Sequence, residues 1–145
     1  FKNKTSTGSN ASNNATSAHT DIDFPLFRLG DVYLMYAEAQ LRLGNSATAI
    51  QYVNLIRERG YGNTSFNVTT LTLDDILDER AREMQWEATR RTDLIRFGYF
   101  AGADYVWPFK GGDVAGVAVP TYVNLYPIPT ADIVLNRNLD QNPGY

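Results

Sequence analysis

Cysteine is absent from the 145 residues, which removes disulfides, thiolate nucleophiles and Cys-ligated zinc together and leaves the redox compartment open. Histidine occurs once, as His19, inside a tract of Ser, Thr, Asn and Ala. A metal site needs several convergent ligands and a catalytic imidazole needs a positioned partner, so His19 reads as solvated surface. No apolar run approaches the ~18 residues of a membrane span, and nothing at the start has the form of a signal peptide. The expectation is either a cytosolic protein or a piece whose targeting segment lies upstream. Thirteen Lys and Arg stand against sixteen Asp and Glu, a net charge of -3, and the basic residues form no run able to neutralise a row of phosphates. Nucleic acid is therefore not an expected partner. No metal set or cofactor motif stands out, and none is expected.

What the chain does contain is organised from about residue 22 onward. Residues 1–21 are mostly Asn, Ser, Thr, Ala and Gly, with almost nothing apolar to offset the entropy of ordering, and read as a polar linker or loop. Asn-x-Ser/Thr triplets begin at Asn3, Asn10, Asn14, Asn63 and Asn67, and composition alone accounts for them. From Phe24, Leu29, Val32, Tyr33, Tyr36, Ala37 and Leu43 recur at helical spacing while Leu34, Met35 and Leu41 make the other side apolar too. This predicts a helix over about 26–43 that is buried on several sides. Gly44 supplies a left-handed C-cap and Asn45 or Ser46 caps a second helix over 46–59, ended by Gly60. The pair reads as an antiparallel helical hairpin.

Thr72 and Asp75 make a variant capping box for a third helix over 73–97. Its inward stripe is Leu73, Ile76, Leu77, Ala81, Met84 and Ala88, and its charged stripe is Arg80, Glu83, Glu87 and Arg91, with Glu87 set to pair with Arg91 four residues on. Residues 99–124 are Gly-rich and aromatic, expected to form an irregular loop with one short hairpin. The tail 125–145 starts extended through Pro127 and Pro129 and continues in a short helix capped by Thr130. The fold class is mainly α: a tetratricopeptide-like helical hairpin plus a further helix, a loop-rich segment and an extended tail. A first helix apolar on all sides needs more neighbours than these, so further structure is expected upstream.

Four segments in order resemble the C-terminal region of the SusD/RagB family. They are FPLFRLGDVYLMYAEA from Phe24, AIQYVNLIRER from Ala49, ERAREMQWEATRRTDLIRFG from Glu79 and LYPIPTADIVLNRNLDQNPGY from Leu125. Gly30 stands where the family usually has Ala, Ala88 where it has Gly, and Arg91-Thr92 where it has Trp and its neighbour. The resemblance implies the tetratricopeptide-like α fold and a lipid anchor at the outer-membrane surface of a Gram-negative bacterium. It also implies non-catalytic capture of starch- or polysaccharide-type oligosaccharides for a TonB-dependent, SusC-like transporter. Residues 22–145 would be the C-terminal domain, partnered by an upstream N-terminal part of the same protein. A tetratricopeptide-like interaction scaffold and a peptide-binding nutrient lipoprotein are the alternatives. The tail from Pro127 has no place in a simple repeat array.

Individual residues can then be weighed. The set Arg28, Asp31, Glu38, Arg57, Arg80, Glu83, Glu87, Arg90, Asp93 and Arg96 could be read as a carboxylate pair with substrate-clamping arginines, as in glycoside hydrolysis. Near equality of Arg and acid within each segment favours structural ion pairs, formed by Arg28, Asp31, Glu38, Arg57, Arg80, Glu83 and Asp93. A glycosidase acid must hold a proton, which arginine neighbours oppose; no enzyme activity is expected. Asn54 is expected to tie down a neighbouring loop. Tyr105, Trp107 and Tyr122 are the candidate ligand contacts, because flat sugar faces lie on aromatic rings that keep a polar edge free.

Overall fold

The computed structural model describes residues 25–145. The polar tract, His19, Phe24 and the triplets at Asn3, Asn10 and Asn14 lie outside the described residues. Five α-helices follow in order: α1 (Leu29–Arg42), α2 (Ser46–Tyr61), α3 (Leu73–Glu83), α4 (Arg90–Arg96) and α5 (Thr130–Leu135). Among the described residues no strand forms; the expected hairpin in the loop is reduced to one antiparallel bridge between Gly102 and Val119.

α1 and α2 make the hairpin. Gly44 turns the chain at φ +84°, and the inner faces close on Leu34, Ala37, Ala49, Val53 and Ile56, with Ile76 of α3 completing the core. Tyr52 meets Tyr33 and Tyr36 edge-on, with ring centroids 5.1 and 4.7 Å apart. Among the described residues the other side of α1 finds little cover: Leu29, Val32 and Met35 remain exposed, and Tyr36 does so beyond its contact with Tyr52. α2 runs past the expected stop at Gly60 and ends at Gly62, which takes the left-handed C-cap. Asn45 does not cap α2 with its side chain; its amide donates back to Gln40 Oε1 at 2.7 Å. Asn54 clamps the connector to α3, its Nδ2 donating to the Val68 carbonyl at 3.0 Å and its Oδ1 accepting from Val68 N–H at 2.8 Å. At the next helix the Thr72–Asp75 capping box is complete in both directions. α5 begins at Thr130 with Pro129 in the N-cap place, so Thr130 contributes no side-chain cap.

The expected third helix over 73–97 is two helices. α3 stops at Glu83, and Trp86 and Ala88 take φ of +69° and +60° before α4 starts at Arg90. Left-handed backbone at residues carrying a Cβ costs about 1–2 kcal/mol each, and the family's usual Gly at position 88 adopts it freely. The break also removes the expected Glu87–Arg91 pair, because the two no longer share a helix. Glu87 turns to Arg28, whose Nε donates to both of its carboxylate oxygens at 3.0 and 2.7 Å. Arg91 turns to the aromatic loop. Ala88, expected on the inward stripe, is exposed.

Candidate functional site

Two arrangements of charged side chains divide the described chain. In the helical part, arginines meet carboxylates. Arg28 pairs with Glu83 as well as Glu87 and donates from Nη2 to the Glu83 carbonyl at 2.5 Å. These contacts hold the Arg28 guanidinium in its charged form, raising its pKa above the ordinary value through the Glu87 and Glu83 bonds against the opposing effect of burial. Arg57 pairs with Glu79 at 2.7 Å and Arg80 bridges Asp31 at 2.8 Å and Asp93 at 2.9 Å. Glu38 Oε1 accepts from Arg42 Nε at 2.9 Å and from Arg96 Nη1. Glu79, which the charged pattern did not single out, is as buried as Glu38 and Arg80. Its signal was present in the sequence as an acid one residue before Arg80, on the same inward side of α3.

Around the loop that follows Gly98 the cations change partners. Lys110 is 2% exposed and has no salt bridge among the described residues: its Nζ donates to the Gly102 and Tyr105 carbonyls at 2.9 and 2.5 Å and sits 4.8 Å from the Trp107 ring centroid. Around that ammonium the loop winds tightly. A Cβ on Gly116 would stand 2.2 Å from the Trp107 carbonyl, so only glycine lets the two backbones approach. Arg91 lies over the rings of Tyr126 at 3.9 Å and Phe100 at 4.9 Å and donates from Nη2 to the Val123 and Asn124 carbonyls at 2.9 and 3.1 Å. Cation–π contacts of this kind contribute about 0.5–2 kcal/mol each.

These contacts frame a cavity of about 320 Å³ lined by Phe100, Trp107, Tyr126, Tyr145, Arg91 and Lys110, among others. Of the three aromatics expected at a site, Trp107 lines it. Tyr105 stands behind Trp107, ring centroids 5.7 Å apart, its hydroxyl accepting from Arg90 at 3.2 Å. Tyr122 does not line the cavity and packs edge-on against Tyr145, which does, at 4.9 Å. Gly144 permits this, since a Cβ there would be 2.5 Å from the Tyr122 ring. Sequence reasoning missed Phe100, Tyr126, Tyr145 and both cations. All of these sit after the helix break or in the folded-back tail, where the expected periodicity no longer reports which way a side chain faces. An aromatic cavity with polar edges and fixed cations can hold a flat, hydroxylated ring, with stacking for its C–H face and N–H groups for its hydroxyls.

Comparison with known proteins agrees with the fold. The family model described as the SusD family matches residues 2–145. The starch-binding protein SusD of Bacteroides thetaiotaomicron is 46% identical over 129 residues, covering 89% of this chain and 23% of that protein. A SusD-like protein of Formosa agariphila is 35% identical, covering 83% of this chain and 24% of its own length. Among solved structures, a Bacteroides vulgatus protein proposed to bind sugar superposes with a TM-score of 0.67 at 34% identity, over 87% of this chain and 30% of that one. A SusD-superfamily protein of Parabacteroides distasonis gives 0.62 at 28% identity, over 90% and 29%. The chain thus spans about a quarter of the length of the curated relatives it matches.

Proposed function

The chain belongs to the SusD family, and from that premise we propose that residues 22–145 are the C-terminal domain of a non-catalytic, cell-surface glycan-binding lipoprotein, with residues 1–21 a polar linker. In this reading the whole protein sits at the outer membrane of a Gram-negative bacterium, held by a lipid anchor outside this chain. It captures starch- or polysaccharide-type oligosaccharides and delivers them to a TonB-dependent, SusC-like transporter. The ion pairs of Arg28, Asp31, Glu38, Arg57, Arg80, Glu83 and Asp93 are scaffold, and Trp107, backed by Tyr105, is the ligand platform. Tyr122 acts indirectly by fixing Tyr145.

The observation that carries the ligand reading is the placement of Trp107 on a cavity walled by three further rings. It is supported by the name of the Bacteroides thetaiotaomicron relative, a starch-binding protein. The test is calorimetric titration of starch-type and other neutral oligosaccharides, and of peptides, against the full-length gene product and its Trp107→Ala form. Loss of one stacking ring is expected to weaken binding roughly 2- to 10-fold, with Trp107→Phe recovering most of it. Unchanged affinity for every ligand that binds would remove this loop from the site. Binding of peptides alone would move the protein to the peptide-binding alternative.

A further inference from the structure

We infer that the aromatic cavity takes an acidic saccharide, with the carboxylate of a uronic acid seated against the free N–H groups of Arg91. The inference rests on the reading of Trp107 as a ligand platform, and it names the chemical class of the sugar that the platform takes.

Among the described residues two cations line this cavity, Arg91 and Lys110, and no Asp or Glu does. The positive sign is local, because the chain as a whole carries a net charge of -3. Lys110 is buried, with its ammonium held by two carbonyls and the Trp107 ring, so it contributes charge and no direct contact. Arg91 is only half-buried. Its Nη2 is engaged by the Val123 and Asn124 carbonyls, while its Nε and Nη1 donate to no described residue, yet neither is a buried atom. The guanidinium is therefore pinned at one nitrogen and open to an incoming acceptor at the other two. Phe100 places it beside the platform: the guanidinium carbon lies 4.9 Å from the Phe100 ring centroid, and the Trp107 ring lies 6.3 Å from it.

Charge decides what kind of sugar. Carbonyl oxygens and ring faces hold a cation without neutralising it, and aromatic walls leave little water to screen what remains. A neutral sugar would gain stacking and hydroxyl contacts and leave both charges uncancelled. An anion on the sugar supplies the charge-assisted partner that Arg91 lacks among the described residues, and the planar guanidinium matches a carboxylate in shape. Geometry decides where that anion sits. When a pyranose lays its C–H face on an aromatic ring, its equatorial substituents project sideways, toward the cavity wall. In a uronic acid the carboxylate is bonded directly to the stacked ring, which suits cations that flank the platform. A nucleotide also joins a flat ring to an anion, but its phosphate stands a ribose away from its base. The volume of about 320 Å³ lies at the lower end of the ~300–1,000 Å³ of ligand cavities, which fits a short stretch of an acidic chain.

The test titrates the full-length gene product with short oligosaccharides of galacturonate, glucuronate and mannuronate, each beside its methyl ester, which keeps the ring and removes the charge. At least one uronate is expected to bind, and its ester to bind roughly tenfold more weakly. Added salt should weaken the acid and leave the ester level. Arg91→Gln keeps N–H donors for the Val123 and Asn124 carbonyls and is expected to bring acid and ester to the same affinity. If Arg91→Gln fails to fold, the ratio of acid to ester and its salt dependence in the unsubstituted protein decide. Equal affinity for acid and ester, with Trp107→Ala weakening both, would overturn the acidic class and leave the platform standing. A preference for the acid that survives Arg91→Gln, or that Trp107→Ala leaves untouched, would place the carboxylate elsewhere on the protein and overturn the inference. Binding of neutral glucans or of AMP, with no uronate bound, would overturn it as well.

Discussion

The helices and the aromatic loop solve the same problem, a cation out of water, in opposite ways. Among the packed helices the guanidinium groups of Arg28, Arg57, Arg80 and Arg96 face carboxylates, and Arg80, 4% exposed, bridges two of them. Around the aromatic cavity, Lys110 of the loop and Arg91 of α4 face carbonyl oxygens and ring faces, and neither forms a salt bridge with a described residue. Carboxylate partners neutralise charge and leave a rigid, inert scaffold. Carbonyls and rings hold the side chain while leaving its positive charge in place, so the loop keeps an uncancelled field at the mouth of an aromatic cavity. Scaffold and platform are thus distinguished by the partner of the cation more than by its burial.

The largest break of this comparison is Arg80→Met. Asp31 loses its arginine and the buried Asp93 is left with Arg96 alone, and the expected loss is about 3–5 kcal/mol in urea unfolding of the full-length protein. The double change Arg80→Met with Asp93→Leu should return much of it, because a hydrophobic pair of similar volume leaves no buried charge stranded. Recovery of none of the loss would mean that Arg80 acts through its stem packing.

In the loop, Lys110→Met removes two hydrogen bonds to carbonyls without stranding an anion. The expected cost is smaller, about 2 kcal/mol, and local. Hydrogen exchange should accelerate at Gly102, Val117 and the rest of 99–124, while α1 to α3 keep their protection. A loss of protection spread evenly over the helices would dissolve the distinction between the two regions.

Smaller still is the seam between them. Ala88→Gly is expected to stabilise the protein by about 0.5–1 kcal/mol, since glycine takes a positive φ without penalty and the gain is offset only by its extra chain entropy. A lowered melting temperature would show that the methyl group contributes packing that outweighs its strain.

The smallest expected effect is at the start of α3. Hydrogen bonds from the Thr72 hydroxyl and N–H hold the Asp75 carboxyl below the ordinary carboxylate range. The folded state therefore gains stability above the ordinary Asp value of 3.8, and that gain is lost as the pH falls through the lowered folded value. Because the group is largely exposed, Asp75→Asn should cost about 0.5 kcal/mol at pH 7. The difference from the unsubstituted protein should vanish in acid, which melting curves at two pH values will read directly.

What could be read from the residues alone follows the same division. The hairpin, the capping box and the Asn54 clamp were legible because each depends on spacing within a few residues: Thr72 and Asp75 are three apart, and Asn54 shares a helix face with Val53. The break at Met84–Thr89 was not, since Met-Gln-Trp-Glu-Ala-Thr contains neither glycine nor proline. Its cause is tertiary, with Glu87 drawn to Arg28 and Arg91 to Tyr126. The resemblance carried the one hint, a usual glycine at position 88, without saying that the backbone there must turn left-handed. Trp107 and Tyr105 were found by composition, whereas Lys110, Tyr126 and Tyr145 needed the folded path of the loop and tail to be brought to one cavity.

Arg28 carries a mechanical consequence. It lies just before α1, yet all its side-chain bonds go to Glu83, Met84 and Glu87, at the end of α3 and the turn that follows. A pull on the chain entering at residues 25–28 is therefore shared between the start of α1 and the α3–α4 turn, with the side-chain contacts strained in parallel. Tension arriving from the rest of a longer polypeptide would be delivered to the joint between the scaffold and the arginine-braced loop, making Arg28 a tether that couples the motion of one to the position of the other.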